Sequence, residues 1–274
     1  MADKLHPGIT GIEKQLKQHL EEFFLSVYPE DHLESHGIEH HRRVWSYACD
    51  LVAMKADPEL FTASFLKNLI IACYLHDIGM ADDHGFNHGL TGRRKCSEFL
   101  NSRNFDSLDF TSGMEAIEYH DNKDYNKQHS GNKVLHILSL ADDLDAYGYT
   151  GIYRYTDIYL RRNIGFADLG KLVRKNAGGR YARFMSETDL PADYKLIQET
   201  RYRILDDFFA GYEKEVSSYV FAGNEPTGYC GVVQTVLFSI KSRENVKFLN
   251  ILHKYSNDVS ISWYLKGYLS EIKD

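Results

Sequence analysis

The chain has 274 residues, is 43% hydrophobic and 26% charged, and carries a formal net charge of −7. That supports a sizeable core, as one large domain or two small ones, and the lack of an uninterrupted apolar run of about 18 residues excludes a membrane span. Residues 1–150 balance at −10, residues 151–200 at +3 and the remainder at zero, a distribution unlike that of a protein that coats duplex nucleic acid.

Five prolines in the whole chain, with apolar residues recurring every three or four positions, predict a mainly helical, all-α protein. Ile12, Leu16, Leu20, Phe23, Phe24 and Val27 form a first helical stripe that Pro29 ends. Val44, Ala48, Leu51, Val52 and Lys55 mark a second helix, stopped near Pro58. PELFTASFLKNLIIACYLHDIG predicts a third, with Pro58 at its start and Gly79 as a left-handed cap past its end. HGLTGRRKCSEFL, SGMEAIEYH and NKVLHILSLADDLDAYG follow as further helices. Near residue 150, AYGYTGIYRY divides a helical domain at 1–150 from a C-terminal helical or mixed extension at 151–274. In that extension YKLIQETRYRILDDFFAGYEKEVSSYVF reads as one long amphipathic helix. CGVVQTVLFSIK and VSISWYLKGYL are rich in β-branched and aromatic residues and read as strands or buried helices.

Several polar residues fall where apolar ones belong. His76 and Asp77 end the run Leu69, Ile70, Ile71, Ala72, Leu75, and Asp142 shares a helix face with Leu135 and Leu138. A buried carboxylate needs a charged partner or a metal, so Asp142 by itself reads as a cap or salt bridge to a neighbouring helix. Asp143 should point to water. Adjacent residues of a helix diverge by about 100°, so His76 and Asp77 could meet one ion only where their helix stops. His40 begins HHRRVWSYA, His88 opens HGLTGRRKCSEFL and His120 closes GMEAIEYH. The order His40, His76–Asp77, His88, His120, Asp142 supplies four imidazoles and two carboxylates from separate helices. Those donors suit two divalent transition metals, Mn, Fe, Ni or Zn, with Mg as an option for one site.

The series resembles the HD superfamily of metal-dependent phosphohydrolases. HHRRVWSYA is similar to its HxxRVxxxA opening, HDIG to its namesake pair and ADDLDA to its closing segment, across residues 36–148. His88 and His120 resemble the extra ligands of the two-metal branch, which includes the HD-GYP proteins. The resemblance implies an HD-domain-like helical bundle in which Asp77 bridges two ions, with His40, His76 and Asp142 on the first and His88 and His120 on the second. Met80 stands where many members carry the lysine of HDIGK, and no GYP-like segment is present, so cyclic-di-GMP is not implied as substrate.

The expected activity is hydrolysis of a phosphoester, in a nucleotide or other small phosphorylated substrate, by water activated at the metals. Asp77 is its central residue. Asp83 and His84, with Asp82, are candidate proton donors in place of the lysine. Arg43, one turn beyond His40, either buttresses a ligand or touches phosphate. Asp145 is a candidate to orient a histidine. Arg180, Tyr181 and Arg183, in the basic and tyrosine-rich stretch after 150, are candidates for substrate binding, with NAGGRYARF as a mobile loop. His36 and Glu39 are expected to be exposed and His41 to face away from His40, while His6, His19, His32, His129 and His253 are surface residues. Two other readings stand beside hydrolysis: a di-iron oxygenase cleaving a carbon–carbon or carbon–phosphorus bond, and an inert nucleotide-binding regulatory module. The four scattered cysteines form no CxxC pair and suit free thiols in a reducing compartment. With no apolar leader in MADKLHPGITGIEKQLKQHL, the expected address is cytoplasmic, with neither membrane nor duplex nucleic acid as partner, and the tyrosine-rich helices are compatible with a homodimer.

Overall fold

The computed structural model describes residues 6–28, 33–55, 57–82, 87–121, 131–221, 225–242 and 247–272. Among these residues there are twelve α-helices, short 3₁₀ turns and no strand. No described helix is long and apolar enough to cross a membrane. The chain divides into two compact units, one of residues 1–32, 36–144 and 189–191, the other of residues 33–35, 145–188 and 192–274.

The first unit holds α1 (Pro7–Val27), α2 (Ile38–Met54), α3 (Ala63–Leu75), α4 (His88–Ser102), α5 (Thr111–Tyr119) and most of α6 (Lys133–Asp145). Its centre is α3, which packs against α1, α2 and α5. Every residue from Asn68 to Leu75 is buried, as expected of a helix apolar on all sides. The one polar member, Asn68, is fully satisfied. Its amide donates to Ser64 O and Asp109 O at 2.9 Å each, and its carbonyl oxygen accepts from Gly113 N at 2.8 Å.

The start of α3 lies later than the third apolar stretch predicts. Pro58–Phe61 forms a separate 3₁₀ turn, and Thr62 caps α3, its hydroxyl accepting from Phe65 N. Such a cap satisfies a donor that the first helical turn leaves without a partner. Elsewhere in this unit Lys55, buried, reaches both carboxylate oxygens of Asp189 at 2.7 and 2.8 Å.

The second unit holds α7 (Gly148–Arg161), α8 (Phe166–Ser186), α9 (Ala192–Glu215), α10 (Gly228–Lys241), α11 (Phe248–Lys254) and α12 (Val259–Glu271). The two segments that read as strands or helices are α10 and α12. Val232, Val233, Val236, Phe208, Phe209, Phe248, Ile261 and Tyr264 share its core, so burial among helices overrides the β-branched preference for strands. The glycines of NAGGRYARF lie within α8, which runs unbroken from Phe166 to Ser186. The loop expected there is therefore a helix, held by Ala177 and Phe184, which are buried on its inner face.

Candidate metal centre

The turn after α3 creates the site. His76 keeps helical geometry as the C-cap, whereas Asp77, at φ −98° and ψ 6°, leaves it. This break turns the two adjacent side chains to one place. The residue expected to cause it acts otherwise: Gly79 lies inside the 3₁₀ turn Ile78–Ala81 and has no positive φ. Its requirement is close approach. A Cβ on Gly79 would sit 1.9 Å from His88 O and 2.7 Å from Gly92 N, so the missing side chain lets the start of α4, and with it His88, lie against the His76–Asp77 turn.

Six side chains from five helices and this turn converge in the first unit, and all are buried. His40 Nε2 lies 3.1 Å from His76 Nε2, 3.5 Å from Asp77 Oδ2 and 3.7 Å from Asp142 Oδ1. His76 Nε2 lies 3.3 Å from Asp77 Oδ2 and 4.0 Å from Asp142 Oδ1. On the other side, Asp77 Oδ1 is 3.0 Å from His120 Nε2 and 3.6 Å from His88 Nε2, and those two ring nitrogens are 3.3 Å apart. Each oxygen of Asp77 thus faces its own group of imidazoles. His76, Asp77 and His120 are also mutually close enough to share an ion, as are His40, His76 and Asp142.

The ring orientations are fixed from behind. His76 Nδ1–H donates to Cys73 O at 3.1 Å and His120 Nδ1–H to Ile117 O at 2.8 Å. A nitrogen facing a carbonyl carries the proton, so the Nε2 lone pairs of both rings point into the cluster. Donors held about 2.1 Å from one transition-metal ion lie about 3.0–3.4 Å apart. Half of the separations here are of that size and the rest reach from 3.5 to 4.0 Å, and the donor set of imidazole and carboxylate is one that such ions take. The buried His/Asp groups can therefore hold metal.

The electrostatics agree with a site built for cations. Burial would raise the Asp77 carboxyl, but the imidazole of His76 and hydrogen bonds from His120, His40 and His76 hold it well below the usual carboxylate range. Burial pushes His76 down, only partly offset by Asp77. His120 goes the other way, because its hydrogen bond to Asp77 and the charges of Asp77 and Asp121 outweigh its burial.

Two expectations about neighbouring residues are corrected, and a third gains its surroundings. His41, expected to face away from His40, is completely buried, its Nδ1–H donates to Cys73 O at 3.0 Å, and its ring lies 4.5 Å from that of Phe24. The spacing of His41 with Trp45, Ala48 and Val52, all buried, is the trace of this in the sequence. His36 is also buried, its ring 5.5 Å from that of His40; Glu39 is exposed and pairs with Arg42. Asp143 is fully buried rather than turned to water, because every residue of α6 from Ile137 to Asp145 is buried.

Arg43 stands half-buried one turn after His40. Asp145 is buried and forms an ion pair with Arg154, Oδ2 to Nη1 at 3.2 Å. Asp82 pairs with Lys95 at 3.1 Å and Arg94 at 3.5 Å, while Asp83 and His84 lie outside the described residues. In the second unit Arg180 Nε donates to Asn176 Oδ1, and Tyr181 stacks on Tyr202 with ring centroids 4.1 Å apart. Arg183 lies half-buried on the same helix, α8. All four cysteines are buried free thiols. Of the lone histidines, His6 caps α1 and His19 and His253 are partly or fully exposed; His32 and His129 lie outside the described residues.

No curated protein and no solved structure matches the chain. The HD-CE family model does, over residues 22–203, which include all six residues of the cluster and continue through α7 and α8 into α9. With more than half of its length matched and an all-helical fold around the His/Asp cluster, the chain belongs to the HD-CE family, a family of HD type.

Proposed function

We propose that the chain is a metal-dependent phosphohydrolase with two divalent transition-metal ions, acting on a nucleotide or a related small phosphorylated substrate. The observation that supports this best is the division of Asp77, with Oδ2 toward His40 and His76 and Oδ1 toward His88 and His120. In this reading His40, His76, Asp77 and Asp142 would hold one ion, and Asp77, His88 and His120 the other. When bound, such a pair of ions lowers the pKa of water and draws charge from phosphate oxygens. The protein then has no need of a covalent nucleophile. Its own work is to hold six donors in fixed rotamers: the backbone carbonyls of Cys73 and Ile117 aim His76 and His120, and the missing Cβ of Gly79 admits His88. Arg43 is assigned to ligand support or phosphate contact.

The same donors also fit a di-iron oxygenase, since imidazole and carboxylate are the ligands iron takes in such sites. One experiment separates the readings. The full chain is purified anaerobically, its metals are counted and identified, and it is assayed against nucleotides and bis(p-nitrophenyl) phosphate with Mn²⁺. Release of phosphate or a nucleoside monophosphate, lost in Asp77→Ala, supports hydrolysis. Two irons with oxygen uptake and no phosphate release would replace it with the oxygenase reading, and metal binding without turnover would favour the regulatory one.

A further inference from the structure

Behind the cluster lies an imidazole that ligates nothing in the proposed site. His41 follows the ligand His40 on α2 and is fully buried, with its ring centroid 4.8 Å from that of His76 and 5.0 Å from that of His40. On its far side is Phe24, at 4.5 Å. Its Nδ1–H donates to Cys73 O at 3.0 Å, and the same oxygen accepts Nδ1–H of His76 at 3.1 Å. Cys73 lies in the last turn of α3, where carbonyls run out of helical N–H partners, so one oxygen is available to both rings. The other nitrogen of His41, Nε2, has no hydrogen-bond partner among the described residues. A core that needed only volume at this point would be better served by phenylalanine, since an unsatisfied buried nitrogen is a net cost. A histidine here therefore breaks a rule of core packing, as happens at functional sites.

We infer that His41 is a positioning residue for the first metal set. By occupying one lone pair of Cys73 O, it leaves the other as the single acceptor for His76, which fixes the direction of that ring. By packing against both His40 and His76 it holds the two Nε2 atoms at 3.1 Å. Partners behind a ligand commonly change metal affinity by 10- to 100-fold when removed. The inference rests on the metal reading above and assigns a role to a residue outside its ligand set.

The test uses the full chain with Co²⁺ as probe, comparing wild type, His41→Phe and His41→Asn. Phenylalanine keeps the ring and loses the Nδ1–H; asparagine keeps an N–H in nearly the same place. Cobalt affinity and the visible ligand-field bands are read for each, and the metal-free proteins are melted. His41→Phe should bind cobalt at least tenfold more weakly, with altered bands, while its metal-free melting temperature is unchanged or higher; His41→Asn should regain much of the affinity. This opposition of stability and affinity is what a packing role cannot produce. Cobalt affinity within twofold of wild type with unchanged bands in His41→Phe would overturn the inference. So would a joint fall of affinity and metal-free melting temperature in both variants, which would make His41 a packing residue. A wild type that takes up no cobalt would remove the metal reading itself and this inference with it.

Discussion

The replacement Gly79→Ala tests the geometry of the site without touching a ligand. The new Cβ would lie 1.9 Å from His88 O, where ordinary contact begins near 3.4 Å, so the start of α4 must retreat by about 1.5 Å. Its other close atoms, Gly92 N at 2.7 Å and His88 C at 2.9 Å, are also backbone. No side chain can swing aside to relieve the clash. Overpacking of this kind costs up to about 3 kcal/mol, a fall in melting temperature of roughly 6–12 °C for a domain of this size. The movement carries His88, whose Nε2 is 3.6 Å from Asp77 Oδ1, away from the second set. His40, His76 and Asp142 stand on other elements and are left in place. The expected result is a folded protein that retains one tightly bound metal and loses most of the other, read by elemental analysis after dialysis and by thermal melts. Two ions at wild-type affinity together with an unchanged melting temperature would refute the close-approach argument.

Metal uptake should depend on pH through His120, whose pKa is raised chiefly because its bond to Asp77 outweighs burial. In the metal-free protein the stability from this raised group is fully present below the ordinary histidine value of about 6.5 and is lost as pH rises through the folded value. Metal affinity should move oppositely over the same window, gaining about tenfold per pH unit where one proton is displaced; titration calorimetry between pH 6 and 8 measures it, and a flat profile would contradict the assignment. Stripping metal with a chelator should lower the melting temperature, since ligand at 100 times its Kd stabilises by about 2.7 kcal/mol; identical melts with and without metal would count against binding to the native site. Burial pushes the Cys96 and Cys230 thiols up to about 12, and Cys49 and Cys73 are also raised by burial. All four should resist Ellman's reagent at pH 8 and react together in guanidinium, and a fast native reaction would show that one of them is accessible.

Much of the site was legible because its ligands are chemically out of place. His76, Asp77 and Asp142 interrupt apolar faces, and a polar group in such a position demands a partner wherever the helix packs. The two misplaced residues follow from local setting alone. Asp143 was assigned to water by the polar face it shares, and His36 to the outside by its loop-like setting; His36 lies in a 3₁₀ turn and is buried, α2 is buried along a stripe wide enough to include both His40 and His41, and α6 is enclosed around Asp143. Periodicity identifies the most apolar face of a helix; it does not tell how many other helices surround it. The same limit applied to α10 and α12, whose composition suited a strand as well as a buried helix.

Helical class and the identity and order of the six donors were written locally, in spacing and residue type, because a helix closes its hydrogen bonds within a few residues. Which oxygen of Asp77 meets which imidazole, why position 79 admits no side chain, and the sharing of Cys73 O between two rings were decided only by tertiary structure. Those features depend on distances between atoms up to 43 residues apart in the chain, set by α3 packing against α2 and α5 and by α4 closing on the turn after it.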